Sequence, residues 1–192
     1  MRKILFCNVA YLPYYDTTRD NINPINGGSY VVDNQDALEK HNFEECSDGL
    51  YRGFVETKHY LGYKVGIETN TFNTLHIERI DASAKNKGYV QNVLVVFCAK
   101  PQNGKTVIVG WYNNATVFRG RPEYNGRAYN LRTDVCNACL LPENERTFEI
   151  PRANNEGIGF GQSNVWYADT PESEEIINKV INYITNYQTR EA

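Results

Sequence analysis

The chain has 192 residues, a mass near 22.0 kDa and a formal net charge of -3. That length suits one domain, residues 1–192, with a sizeable core, and the near-neutral balance excludes binding of polyanions by bulk charge alone. The hydrophobic fraction is 41%, and no apolar run approaches the roughly 18 residues of a membrane span, so no membrane partner is expected.

Two counts pose the question. There are 14 Tyr, 8 Phe and 2 Trp, together with 23 Asn. Strands joined by tight turns use both kinds of residue, and so does a surface that recognises something flat.

Met1-Arg2-Lys3 before Ile4-Leu5-Phe6-Cys7 has the outline of a signal peptide, but Asn8 interrupts it and no small-residue cleavage site follows. A buried first strand over Lys3 to Ala10 is the expectation. The five cysteines (Cys7, Cys46, Cys98, Cys136, Cys139) are odd in number and scattered, which predicts free thiols in a reducing cytoplasm. Residues 13–28 are polar and read as a loop or lid, ending in Gly27-Gly28, and Ser29 to Val32 as a short strand. Gln35 to Cys46 holds a helical turn, and Tyr51 to Glu56, Tyr63 to Glu68 and His76 to Ile80 are short strands.

The strongest local signal is central. Val93 to Ala99 and Thr106 to Tyr112 flank Pro101-Gln102-Asn103-Gly104 and predict a β-hairpin. Asn113-Asn114 predicts a second turn and Ala115 to Arg119 a third strand, giving an antiparallel meander. Near the C-terminus, Thr170 suits an N-cap, Pro171 the first helical position, and Glu172, Glu174 and Glu175 the first turn. Ile177, Val180, Ile181 and Ile184 share one face, so a helix of about 171–187 packs on the sheet. The class is α+β, mainly β: a curved antiparallel sheet or partial barrel with a C-terminal amphipathic helix.

Little here resembles catalytic machinery. His41, His59 and His76 are not paired at metal-ligand spacing, and Cys136-Asn137-Ala138-Cys139 is a lone CxxC that reads as structural thiols. Gly157-Ile158-Gly159-Phe160-Gly161 lacks the dinucleotide spacing and suits a tight turn or close backbone approach. No catalytic residue, metal or cofactor is expected, and a binding module leads.

Two constellations could bind. In the loop of about 119–132, Arg119, Arg121, Arg127 and Arg132 face one acid, Glu123, with Tyr124 and Tyr129 interleaved. Guanidinium forks suit phosphate and aromatic rings suit bases, although the same arginines could pair with the acidic remainder of the chain. Trp111-Tyr112 and Trp166-Tyr167 each place one ring on either side of a strand. The rings could be core, or could form a pocket for a flipped base, with Tyr11 nearby and its edge met by Asn8, Asn113, Ser163 and Asn164.

ILFCNVAYLPYY, NGGSYV, VLVVFCAKPQNGKTVIVGWYNNATVFR, CLLPENERTFEIPR and GIGFGQSNVWYADTPE, spread over almost the whole chain, resemble the N-terminal domain of a group of bacterial HNH endonucleases. In that group the nuclease motif lies beyond this domain, so the resemblance implies a DNA-binding specificity module whose partners are DNA carrying a modified base and a nuclease domain. More weakly, the chain is similar to the PUA-like superfamily of modified-base readers (the EVE, YTH and SRA groups). The alternatives from the residues are an enzyme acting on a nucleotide-like small molecule and a protein-interaction module.

Overall fold

Six consecutive residues, ILFCNV, carry no surface face: five are buried and Asn8 is half-buried. Such a strand must lie inside a sheet covered on both sides. In the computed structural model, which describes residues 2–18, 25, 38–57, 59–64, 67–72, 74–153 and 157–191 (59–64 and 67–72 as backbone), it does.

The strands are β1 (Ile4–Val9), β2 (Leu50–Gly53), β3 (His59–Lys64), β4 (Ile67–Phe72), β5 (Tyr89–Ala99), β6 (Val107–Phe118), β7 (Glu123–Tyr124), β8 (Arg127–Ala128), β9 (Leu131–Asp134), β10 (Ala138–Leu140) and β11 (Val165–Trp166). Among the described residues one α-helix, α1 (Glu174–Glu191), follows a 3-10 turn at Pro171–Ser173. The main sheet runs β11-β1-β5-β6-β9-β2, with β10 beside β6; β3-β4 and β7-β8 are separate hairpins.

This corrects the expected antiparallel sheet. β1 and β5 run parallel, Ile4 opposite Leu94 through Val9 opposite Ala99, so the sheet is mixed, and it does not close into a barrel. The expected meander is also replaced. β5 and β6 form one long hairpin from Tyr89↔Phe118 to Ala99↔Val107, and Asn113-Asn114 is not a turn. Asn92 and Asn114 instead take positive φ (59° and 49°) at register shifts, absorbing bulges that let both strands run on. Asn tolerates this region because its short polar side chain can bond locally.

Several weaker expectations resolve differently. His76 to Ile80 is a 3-10 turn over Ile77–Arg79, and of the strand expected over 63–68 the described residues 63–64 end β3 and 67–68 begin β4. The helical turn expected before Cys46 is the 3-10 turn Leu38–His41, while Ser29 to Val32 lies outside the described residues. Thr170 precedes the Pro171 turn in extended geometry, its hydroxyl meeting Ser173 Oγ at 3.2 Å rather than capping an N–H.

Both faces of the sheet are covered. On one, Ile4, Phe6, Val96, Ile108, Trp111 and Trp166 pack against Val180 and Ile184 of α1. On the other, Leu5, Val95, Phe97, Tyr112 and Leu131 pack against Tyr15, Phe43, Leu75 and Ile77 from the irregular segments. Gly110 lets β10 and the Phe43 layer close: a Cβ there would lie 2.5 Å from the Cys139 carbonyl oxygen and 2.7 Å from the Phe43 ring. Gly159, from the glycine run, takes φ +100° where a Cβ would strike the Pro151 carbonyl, the close backbone approach that the run suggests.

Candidate nucleic-acid interface

The two tryptophans share one row of the sheet. Register aligns Trp166 with Phe6, Phe6 with Val96 and Val96 with Trp111, so all four side chains project to the α1 face. Phe6 stacks on Trp166 at 4.7 Å, and Tyr187 of α1 meets Trp111 edge-on at 5.5 Å. The space a base would need between the indoles is filled by Phe6 and Val96 and roofed by the helix. Trp111 is fully buried and Trp166 nearly so, which corrects the expected Trp pocket.

Tyr112 fares likewise on the opposite face. It is fully buried, packs edge-on against Phe97 at 4.8 Å, and its hydroxyl donates to the Asn42 carbonyl. Burial pushes its hydroxyl pKa well up. Alternation does separate Trp from Tyr, but with both sheet faces covered it sends each ring into core.

The arginines of the 119–132 loop mostly fold the protein. Arg119 pairs with Glu78 at 2.7 Å and donates to the carbonyls of Ala84, Lys85 and Lys87. Arg121 pairs with Glu56 at 2.6 Å and Arg127 with Glu44 at 3.1 Å. For these three, the expected free phosphate contacts are corrected to internal ion pairs. The acids come from 41, 65 and 83 residues away, beyond any local pattern. Arg132 differs: its guanidinium lies 5.4 Å from the Phe118 ring centre and has no carboxylate partner among the described residues.

Of the expected edge contacts, three come together. The Asn8 N–H donates to the Asn164 carbonyl at 2.7 Å, the Asn164 amide donates to the Glu56 carbonyl at 3.3 Å, and Ser163 Oγ accepts from the Val165 N–H at 3.2 Å. Asn113 is separated from them. It sits near the Ile4 end of the sheet, between the Val93↔Ala115 and Val95↔Tyr112 rungs, whereas Asn8 pairs with Cys98. Tyr11 turns toward another feature, donating to Glu143 at 3.2 Å with the Arg146 guanidinium 5.2 Å from its ring centre.

That feature is a pocket of about 700 Å³ that sequence reasoning did not assemble. Phe43 and Tyr51 line it from the core side, their ring centres 5.9 Å apart, and Tyr14 stands at 45% exposure beside them. Asp16, Glu45 and Glu143 supply carboxylate oxygens, and among the described residues the lining holds no Lys or Arg. Two walls, Pro13-Tyr14 and Leu141-Glu143, are tied by Arg146, which is 6% exposed and donates to the carbonyls of Leu12, Pro13 and Leu141 at 2.7, 2.6 and 3.0 Å. A buried guanidinium spent on three backbone acceptors fixes the walls in place. The only sequence signal was the Tyr surplus, because the rings come from three segments that share no motif.

One buried carboxyl lies apart from the pocket lining. Glu39 is 3% exposed and accepts from the Ala10 N–H at 2.8 Å and the Glu56 N–H at 3.4 Å. Burial pushes its pKa up to about 7, the two N–H donors only partly opposing it.

No protein-family model, curated protein or solved structure matches the chain.

Proposed function

We propose that this chain is a DNA-binding specificity module that reads a modified base for a restriction-type nuclease, with the base seated in the Tyr14–Phe43–Tyr51 pocket. The observation that supports it is the pocket itself: the exposed Tyr14 ring for stacking, over a floor to which the core rings Phe43 and Tyr51 contribute, with carboxylate oxygens able to accept from an exocyclic amino group. The resemblance to HNH-endonuclease N-terminal domains supplies the partner class. The enzyme alternative gains nothing, because Glu39, the described carboxyl whose proton affinity best suits acid–base chemistry near neutral pH, faces backbone amides inside the fold.

The test compares duplexes carrying cytosine, its 5-methyl and 5-hydroxymethyl forms, or N6-methyladenine at one fixed salt concentration. One modified duplex is expected to bind more tightly than its unmodified counterpart. Tyr14→Ala, at an exposed ring, is expected to weaken that binding by about 5- to 150-fold, the range for losing one base-stacking contact. Equal affinity for every duplex, unchanged by Tyr14→Ala and Tyr51→Ala, would overturn the reading.

A further inference from the structure

The helix covers only part of its sheet face, and at the β9–β2 end Tyr129 meets Phe118 edge-on at 5.5 Å while Tyr124 lies under the Arg52 guanidinium at 3.7 Å, so the face is open only in part. Beyond it, residues pointing to the same side are Tyr89, Phe118 and Arg132, opposite in sense to Val90, Val117 and Leu131 in the core. Tyr89 is 50% exposed, Phe118 lies 6.1 Å from it ring to ring, and Arg132 covers Phe118. Next in chain before Tyr89 come Lys85 and Lys87, both exposed and without an acid partner among the described residues. Their backbone is pinned, since Arg119 holds the carbonyls of Ala84, Lys85 and Lys87 while Glu78 neutralises it. The result is two cations on an anchored turn, an exposed ring, and a third cation stacked on the neighbouring ring. Asp134 on the same face of β9 is the opposing charge, hydrogen-bonded to Asn137 at 3.4 Å.

We infer that this open face is a nucleic-acid backbone track: Lys85, Lys87 and Arg132 contact phosphates, Tyr89 stacks on a sugar or base, and Arg119 is the positioning residue that sets the lysine turn. The assignment rests on the proposed function and gives it what the acidic pocket lacks, an attraction for phosphate. The two regions meet at the edge of the sheet. Tyr51↔Thr133 and Arg52↔Arg132 are adjacent rungs of the β2–β9 ladder, so Tyr51 of the pocket and Arg132 of the track lie on opposite sides of the same terminal strand pair. A duplex held against the β2 end would have its phosphates on one side and an extruded base within reach of the other.

The experiment titrates a fluorescein-labelled 20-base-pair DNA duplex with the full chain over a series of salt concentrations. Lys85→Ala/Lys87→Ala is expected to weaken binding about tenfold at low salt. It should also make the slope of log K against log salt shallower by about 2, one counterion for each lost contact. Arg119→Lys is expected to give part of the same loss. Lys105→Ala/Lys179→Ala, which removes two exposed lysines paired with Glu149 and Glu175, is expected to leave the slope unchanged. A wild-type slope in the Lys85/Lys87 variant overturns the track. Preference for a modified duplex is read separately: if it is absent in the wild type while the lysine effect holds, the base-reading proposal fails and the track stands. If the wild type shows no duplex affinity at low salt, both fall.

Discussion

Replacing Glu39 by Gln tests the energetic reading of the interior. The carboxyl is almost without solvent contact, accepts only backbone N–H donors among the described residues, and lies near the Glu56 carboxylate, so its charged form is disfavoured. An acid whose folded pKa exceeds its unfolded one contributes stability that is fully present below the unfolded value and lost as pH rises through the folded value. Here the window runs from about 4.5 to about 7. The difference corresponds to about 3 kcal/mol, or roughly 6–12 °C in melting temperature for a chain of this size. Carboxylates held low by partners, such as Glu78 at about 2, act in the opposite sense but titrate below this window. Glu39→Gln keeps an acceptor for the Ala10 N–H and cannot ionise. Urea unfolding of both proteins from pH 4.5 to 8 should show the variant gaining about 3 kcal/mol relative to wild type as pH rises. A difference that does not change with pH would refute the argument that Glu39 is buried with no compensating cation.

Two further outcomes follow from packing. Trp111→Ala should lower stability by about 3–5 kcal/mol through the cavity left under α1, while the folded variant keeps its preference among duplexes; binding followed well below its melting temperature checks this. Burial pushes the Cys7 and Cys98 thiols well above their ordinary pKa whereas Cys136 is exposed, so iodoacetamide should label Cys136 in the native protein and reach Cys7 and Cys98 only after unfolding, as read by peptide mass spectrometry.

What the sequence revealed was local. The hairpin through residues 93–112 and the α1 stripe were legible because period and turn chemistry act over a few residues. The parallel pairing of β1 with β5 was not, since the partners, Ile4 with Leu94 through Val9 with Ala99, stand 90 positions apart and no intervening motif announces it. Asn113-Asn114 misled for a definite reason: a residue that favours positive φ serves a turn or a bulge equally well, and only the partner strand decides. At the candidate site the residue types were right and their places were not. Tryptophan beside a strand end suggested a cage, but a sheet covered on both faces leaves such rings no exit.

That burial explains where recognition can reside. α1 covers one face from β11 to Trp111 of β6, and the 3-10 turns with Phe43 and Tyr15 cover the other, so among the described residues the exposed rings are Tyr14, at the pocket, and Tyr89, at the Phe118 end of β5. There the net charge is divided. Glu44, Glu56 and Glu78 occupy Arg127, Arg121 and Arg119, leaving Arg132 on one side of the strand pair and Lys85 and Lys87 ahead of β5 without acid partners among the described residues, while Asp16, Glu45 and Glu143 stand around the pocket on the other side. A strand bound by charge alone would avoid the acidic side. A base with an amino edge would not, because a neutral ring is not repelled by carboxylates and can donate to them. The proposed module, with net charge -3, would therefore hold DNA phosphates on one side and discriminate a base on the other, the two functions split across the sheet.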